Sequence, residues 1–484
     1  SCDSEIKLTP KRLLNLKRIN NFQVSPDSKS ILFTAKDVSI EKNELKTHLY
    51  KIKISEEKLK QIPLESYQVS QIQWRPDGKK IGFIHEKQIW EIGPDGPSPK
   101  QISDFQEGIT NFAYSPGMDK VFFTAMVKKE KIGQDLFKGL NKTEAIITDD
   151  LMYRHWDQWV DTYSHIFVAD YSSKGIKNPV DIMANEPWES PLRPFGGLEQ
   201  TSWSPDGKYI AYTSRKKTGL AYTLSTDSNI WLYNLETRQT KNLTPQNPGY
   251  DRDPAFSPDG KQIAWLSMQG KAYEADKSRL MVQDINSGKT RVMTSARDRD
   301  VTEFIWSEDG KSIYFISPWQ ACSQIYHLDL KTRNITQMTQ GRNTYSNISL
   351  AGKKLIAQRC SMKEPPDIYS VDIKNKESKN LSRLNQKALS RLCLGQVTQR
   401  WIKTTDQQKM LTLLIMPPDF DPQKTYPALL YCEGGPEVPL THYWSWRWNM
   451  QTFAAKGYIV IAPCRRGIVG FGQKWKEQVL KDWG

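Results

Sequence analysis

Short alternating runs, each led by the same polar turn, fill the first 390 residues of this chain. The turn reads V-S-P-D-S-K from Val24, W-R-P-D-G-K from Trp74, Y-S-P-G-M-D-K from Tyr114 and W-S-P-D-G-K from Trp203. It returns as F-S-P-D-G-K from Phe256, W-S-E-D-G-K from Trp306 and a degenerate L-A-G-K-K from Leu350. Ser or Asp suits the first turn position, Pro pre-sets φ at the second, and Gly tolerates the fourth. An aromatic or apolar residue precedes each turn, and an alternating run such as Tyr209-Ile210-Ala211-Tyr212-Thr213 follows it, so each unit predicts a hairpin.

A second motif keeps step with the first. Apolar pairs recur at Leu49-Tyr50, Ile89-Trp90, Ile166-Phe167, Ile230-Trp231, Leu280-Met281, Ile325-Tyr326 and Ile368-Tyr369, several leading to a closing strand such as N-L-T at Asn242. Two hairpins per period of roughly 40–50 residues make a four-stranded blade, and seven copies predict a seven-bladed β-propeller over 21–390, after an N-terminal segment 1–20. The rhythm breaks once: between Ser115 and Ser204 the spacing is 89 residues, with an insertion over about 126–163. That insertion carries T-D-D-L-M-Y-R-H-W-D-Q-W-V-D from Thr148, and loops this aromatic and acidic concentrate function.

From about Leu394 the pattern changes to continuous apolar runs at Gln396–Lys403, Met410–Met416, Pro427–Cys432 and Tyr458–Pro463, with a Trp-rich helical stretch over Tyr443–Lys456. Strands of this kind alternating with helices predict a parallel α/β sheet, here the N-terminal part of an α/β-hydrolase domain over 391–484.

Composition narrows the function. At 38% hydrophobic and 11% aromatic, with 16 Trp and 20 Tyr, the chain has ample apolar surface for folded cores. Its net charge of +14 comes from Lys and Arg scattered singly, which reads as a solvated basic surface and not as a nucleic-acid face. The six cysteines have no C-x-x-C spacing and the histidines no ligand spacing, so no metal or cofactor is expected. Cys432 and Cys464 sit in apolar strand runs and read as small buried residues. No run of 18 apolar residues predicts a membrane span. Ser1-Cys2-Asp3-Ser4-Glu5 resembles the start of a processed bacterial lipoprotein, with Cys2 as the lipid carrier.

The candidate chemistry lies at Glu433-Gly434-Gly435-Pro436. An apolar strand, Y-P-A-L-L-Y-C, runs into this glycine corner, which is how α/β-hydrolases build the oxyanion loop after their third strand. A backbone N–H beside Gly434 or Gly435 can donate to a tetrahedral oxyanion. Glu433 is a departure, since an ionised carboxylate has no proton to donate. Its two readings are a backbone-only donor set, or a separate task such as holding a substrate ammonium. In the insertion, Asp157 and Asp161 among Trp156, Trp159 and Tyr153 suit a peptide's terminal ammonium. The structural alternative is a helix docked by its tryptophans. Glu144, Glu274 and Asp276 are rival carboxylates. Arg465-Arg466 are read as braces for the hydrolase loop, and His155 and His442 as ordinary polar neighbours.

A propeller of S-P-D-G-K repeats followed by E-G-G-P, K-G-Y-I-V-I-A-P and R-R-G-I-V-G-F-G resembles the prolyl oligopeptidase family of serine peptidases, nearest its dipeptidyl-peptidase V branch. The resemblance implies a serine exopeptidase that releases dipeptides from the amino terminus of short peptides by acyl-enzyme chemistry. It also implies a periplasmic or extracytoplasmic location and a homodimer in the full-length form. Acylaminoacyl-peptidase and oligopeptidase activities stand as alternatives within the class, and a propeller that binds peptides or proteins without catalysis stands outside it. The family's nucleophile follows the K-D-W-G region, so the resemblance places Ser, Asp and His beyond Gly484. The chain as written is then expected to be an inactive fragment, with Pro427–Cys432 a bare sheet edge prone to self-association.

Overall fold

The structure is a computed structural model that describes residues 6–64, 66–96, 98–129, 137, 139, 142–143 and 145–482. Cys2 and Glu144 lie outside the described residues. The chain divides into two compact units, residues 1–69 with 296–484, and residues 70–295.

The second unit holds four antiparallel four-stranded sheets in sequence order, the second to fifth blades. They run from Ser70–Trp74 to Lys100–Gln101, Asn111–Tyr114 to Gly175–Asp181, Thr201–Trp203 to Thr240–Asn242, and Asp251–Phe256 to Thr290–Val292. The first unit holds blade 1 (Arg18–Val24 to Lys58–Ile62), blade 6 (Glu303–Trp306 to Ile335–Gln337) and blade 7 (Thr344–Ala351 to Ser378–Asn380). The first strand thus begins at Arg18, inside the stretch read as a leading segment. All seven apolar pairs fall in the third strand of their sheet, which is largely buried. Phe33, Tyr50, Ile356 and Ile368 join blades 1 and 7, while Phe122, Ile166, Ile210 and Tyr212 join blades 3 and 4.

The repeated turn explains its own sequence. Ser204 Oγ donates to Asp206 Oδ1 at 2.6 Å and accepts the Tyr209 amide at 2.9 Å, while Asp206 Oδ1 accepts the Lys208 amide at 3.0 Å. Gly207 closes the turn onto Ser204 O at 2.9 Å with φ +71°, a left-handed conformation that favours glycine. The same Ser–Asp bond recurs at Ser25–Asp27, Ser257–Asp259 and Ser307–Asp309.

The C-terminal part of the first unit is a sheet of β1 (Val397–Lys403), β2 (Lys409–Ile415), β3 (Ala428–Leu430) and β4 (Ile459–Pro463), ordered β1-β2-β4-β3. The expected all-parallel sheet is corrected: only β3 and β4 are parallel, and β1–β2 and β2–β4 are antiparallel. A short connection of five residues joins β1 to β2, which permits only a hairpin. The helix expected over 443–456 shrinks to α1 (Met450–Ala454), capped by the Asn449 side chain on the Gln451 amide. The residues before it are irregular and pack by their tryptophans: Trp444 joins Leu8, Leu13 and Leu16 in an apolar cluster. Cys464 is buried as expected, but Cys432 is exposed, in step with Ala428 and Leu430 on the open face of the edge strand β3.

Candidate active site

The carboxyl ends of the parallel pair β3 and β4 lie side by side, with Leu430 opposite Ile461. Ligands of α/β sheets bind outside such ends. The loop after β3 is Glu433–Pro436; the loop after β4 is Cys464–Gly472, leading into α2 (Gln473–Glu477).

Arg465 ties the two loops together. Its Nη2 donates to Glu433 O at 2.9 Å and Gly435 O at 2.8 Å, and its Nη1 donates to Arg466 O at 2.8 Å. Among the described residues, neither the Gly434 nor the Gly435 amide donates a hydrogen bond to the protein. Gly467, with φ +89°, lets Pro436 approach: a Cβ there would meet Pro436 O at 2.5 Å. Arg466 lies over the Trp475 ring, donates to Gln478 Oε1 at 2.7 Å and pairs with Asp406. Hydrogen bonding from Thr404, then Arg466, holds the Asp406 carboxyl down at about 2. A pocket of about 420 Å³ opens here, lined by Gly435, Pro436, Arg465, Arg466 and Trp475 among others.

Glu433 is half-buried and not free. Tyr443 Oη donates to its Oε2 at 3.3 Å, and Tyr431 Oη lies 3.1 Å from Tyr443 Oη. Burial raises the pKa of both tyrosines, so each stays a protonated donor near neutrality. The carboxylate is thus fixed on a two-tyrosine chain that sequence reasoning had not connected with it.

The insertion of blade 3 lies between its second and third strands, and among the described residues its tryptophans do not lie on a helix. Arg154–His155 pairs with Gln158–Trp159 in a small hairpin, and Trp156 takes a left-handed φ of +49° at its turn. Trp156, Asp157, Trp159 and Asp161 are all exposed. Trp156 meets Phe195 edge-on at 5.4 Å, and Arg154 lies 5.1 Å over Trp159. A two-residue register closed by Trp156 and Asp157 outweighs the helical reading of the tryptophans.

The same unit holds a smaller pocket, about 180 Å³, that the sequence did not single out; Asp150, Tyr163, Trp188, Glu189, Arg193 and Tyr222 line it. Glu189 takes Arg193 Nε on both oxygens at 2.9 and 2.8 Å, and Arg193 Nη2 donates to Thr162 O at 2.6 Å. The rival Asp276 is committed to the Gln269 and Gly270 amides and to Arg279. His442 is no ordinary polar neighbour: it is buried, its Nε2 lacks a hydrogen-bond partner, and burial lowers its pKa to about 4. Among the described residues no group of His, Cys, Asp and Glu is arranged to hold a metal ion.

Comparison with known proteins agrees with this geometry. The TolB β-propeller domain family matches residues 199–390 and the prolyl oligopeptidase family matches residues 444–484. The chain is 41% identical over 481 residues to dipeptidyl-peptidase 5 of Porphyromonas gingivalis, covering 99% of this chain and 70% of that protein. It is 38% identical to dipeptidyl-peptidase 5 of Porphyromonas endodontalis, with the same coverage. In fold it resembles an acylaminoacyl peptidase of Pyrococcus horikoshii, with a TM-score of 0.78, 16% identity and 98% and 70% of the two chains covered. The chain belongs to the prolyl oligopeptidase family of serine peptidases, joining a seven-bladed β-propeller to α/β-hydrolase elements.

Proposed function

We propose that this protein releases dipeptides from the free amino terminus of short peptides, with the Gly434 and Gly435 amides on the oxyanion side of the site. The observation that carries this reading is the pair of unengaged amides at the carboxyl end of β3, held in place by Arg465 through the carbonyls on either side. Such fixed donors stabilise a tetrahedral oxyanion without reorganising. The nucleophile, its base and the orienting acid are assigned to sequence continuing past Gly484, as in the G-x-S-x-G order of this fold. Both Porphyromonas relatives carry the name dipeptidyl-peptidase 5, which favours dipeptide release over acylaminoacyl or endopeptidase action.

A carboxylate must then hold the substrate ammonium. Asp157, Asp161 and Asp150 are candidates, and all three face water, where an ion pair alone gains little. Asp150 lines a pocket with Tyr163, Trp188 and Tyr222, whose ring faces favour a cation. The extracytoplasmic location and a homodimer belong to the same reading.

The test uses the gene expressed to its stop codon. A dipeptidyl p-nitroanilide with a free amine should be cleaved and its N-acetylated form should not. Asp150→Asn should raise KM about two- to fivefold, the worth of an exposed charge contact, and more than Asp157→Asn or Asp161→Asn, since ring faces stand beside Asp150. Faster cleavage of the acetylated substrate would make the protein an acylaminoacyl peptidase instead. Peptide binding with no turnover would favour the non-catalytic propeller, a reading that the exposed Trp156 and Phe195 rings support.

A further inference from the structure

The R-G-I-V-G-F-G motif does more than shape a loop after β4. Its far end is gripped by blade 6, and its near end grips the glycine corner. Asp298, just before blade 6, accepts the Gln473 amide on both carboxylate oxygens at 3.1 Å. Asp300 Oδ1 accepts from Lys476 Nζ at 2.7 Å, and both side chains are buried. The backbone comes close enough for this only because residue 472 is glycine, with φ +86°: a Cβ there would meet Asp298 Oδ2 at 2.6 Å. The amide of Gln320, in the tight turn between the second and third strands of blade 6, donates to Gly470 O at 2.9 Å. These contacts clamp α2.

From α2 the connection continues to the site. Trp475 Nε1 donates to Arg465 O at 2.9 Å. Arg465 in turn holds Glu433 O and Gly435 O. Every step from Asp298 and Asp300 to the glycine corner is therefore a hydrogen bond, an ion pair or a step of one or two residues along the chain. Adhesion alone does not account for the choice of groups. A buried Lys–Asp pair contributes about as much stability as a well-packed apolar pair of the same volume, whereas its hydrogen bonds fix direction and register.

We propose that Asp298 and Asp300 are positioning residues for the peptidase reaction: through α2 and Arg465, blade 6 sets the placement of the Gly434 and Gly435 amides. This rests on reading that corner as the oxyanion side. A clamp of this kind acts on the transition state, where donor placement counts, and leaves ground-state binding of the peptide largely alone.

The test is steady-state kinetics of the enzyme expressed to its stop codon, on a dipeptidyl p-nitroanilide, with melting temperatures taken alongside. Asp298→Ala and the paired change Lys476→Met with Asp300→Leu should each lower kcat about tenfold or more, with KM within about twofold, since sub-ångström misplacement of catalytic groups costs rate. Asp298→Asn keeps an acceptor for the Gln473 amide and should restore most of the rate. Arg465→Lys should lower kcat too, and adding Asp298→Ala to it should cost little more, because both act along one path. If Arg465→Lys lowers kcat while the clamp variants do not, or if the two losses multiply, the inference is overturned and the oxyanion reading stands. If Arg465→Lys leaves kcat unchanged, the oxyanion reading fails and takes the inference with it. Should the paired change lower the melting temperature sharply, the contrast of Asp298→Asn with Asp298→Ala decides.

Discussion

His442 illustrates how a single residue can carry a cost that its surroundings impose. Its backbone amide is bound to Ala321 O at 2.8 Å, so the ring is held where it is, without a partner for Nε2. Burial is the main cause of its lowered pKa, with the Arg342 charge second. The folded chain thus keeps His442 neutral down to about pH 4, whereas an unfolded chain takes up a proton near pH 6.5. Between those values the unfolded state binds more protons, so stability is present above pH 6.5 and is lost as the pH falls toward 4. The loss is bounded by roughly 3 kcal/mol for a shift of this size. His442→Leu removes it. Urea unfolding of the two proteins at pH 7 and pH 5 should show the wild type losing more stability on acidification than the variant; equal losses would mean that His442 is protonated in the fold. Arg465 shows the complementary case. Its pairing with carbonyls 30 and 32 residues earlier was legible only as a generic brace, because nothing local in R-R-G announces which carbonyls it reaches.

At the scale of elements, the blades were readable because their turn chemistry is local. Ser, Pro, Asp and Gly within four residues satisfy one another, and the apolar pairs mark the buried third strand without help from distant sequence. The insertion was not readable in the same way: aromatic spacing over Trp156 and Trp159 suits a helix as well as a hairpin, and tertiary context decides. The mixed sheet was missed for a related reason, since continuous apolar runs report burial on both faces and not strand direction. Two turns depart from the repeat in a way that makes a prediction. Ser28 and Met118 hold the left-handed position, at φ +59° and +56°, that glycine takes in the turns of blades 2, 4, 5 and 6. A non-glycine side chain there costs about 1 kcal/mol, partly offset by glycine's greater freedom in the unfolded chain. Met118→Gly and Ser28→Gly together should therefore raise the melting temperature by a few degrees, on the order of 4 °C per kcal/mol or less for a chain of this length. A lower melting temperature in calorimetry would show that these side chains contribute contacts worth more than the strain.

Across the whole molecule, acid acts on the two units in opposite senses. In the second unit, burial raises the carboxyls of Asp251 and Asp253 to about 6. Hydrogen bonds from Trp265 and Asn247 to Asp251, and the Arg252 partner of Asp253, only partly offset that burial. A carboxyl raised above its unfolded value near 3.9 keeps its proton longer in the fold, so its contribution is fully present below pH 3.9 and is lost as the pH rises through 6. Going from pH 7 to pH 5 therefore favours the fold around the first strand of blade 5, while His442 makes the same step unfavourable around Ala321, in the turn of blade 6 that its amide binds. Each effect is on the order of 1–3 kcal/mol. Hydrogen exchange, corrected for the intrinsic pH dependence of the amide rate, separates them: protection in peptides spanning Asp251–Phe256 should rise at pH 5, and protection in Cys322–Asp329, next to the His442 contact at Ala321, should fall. The Asp251→Asn and Asp253→Asn double variant should flatten the first response without touching the second, and His442→Leu should do the reverse. Responses of one sign in both peptides would mean that the chain titrates as a single body and that burial at these three residues does not govern its acid stability.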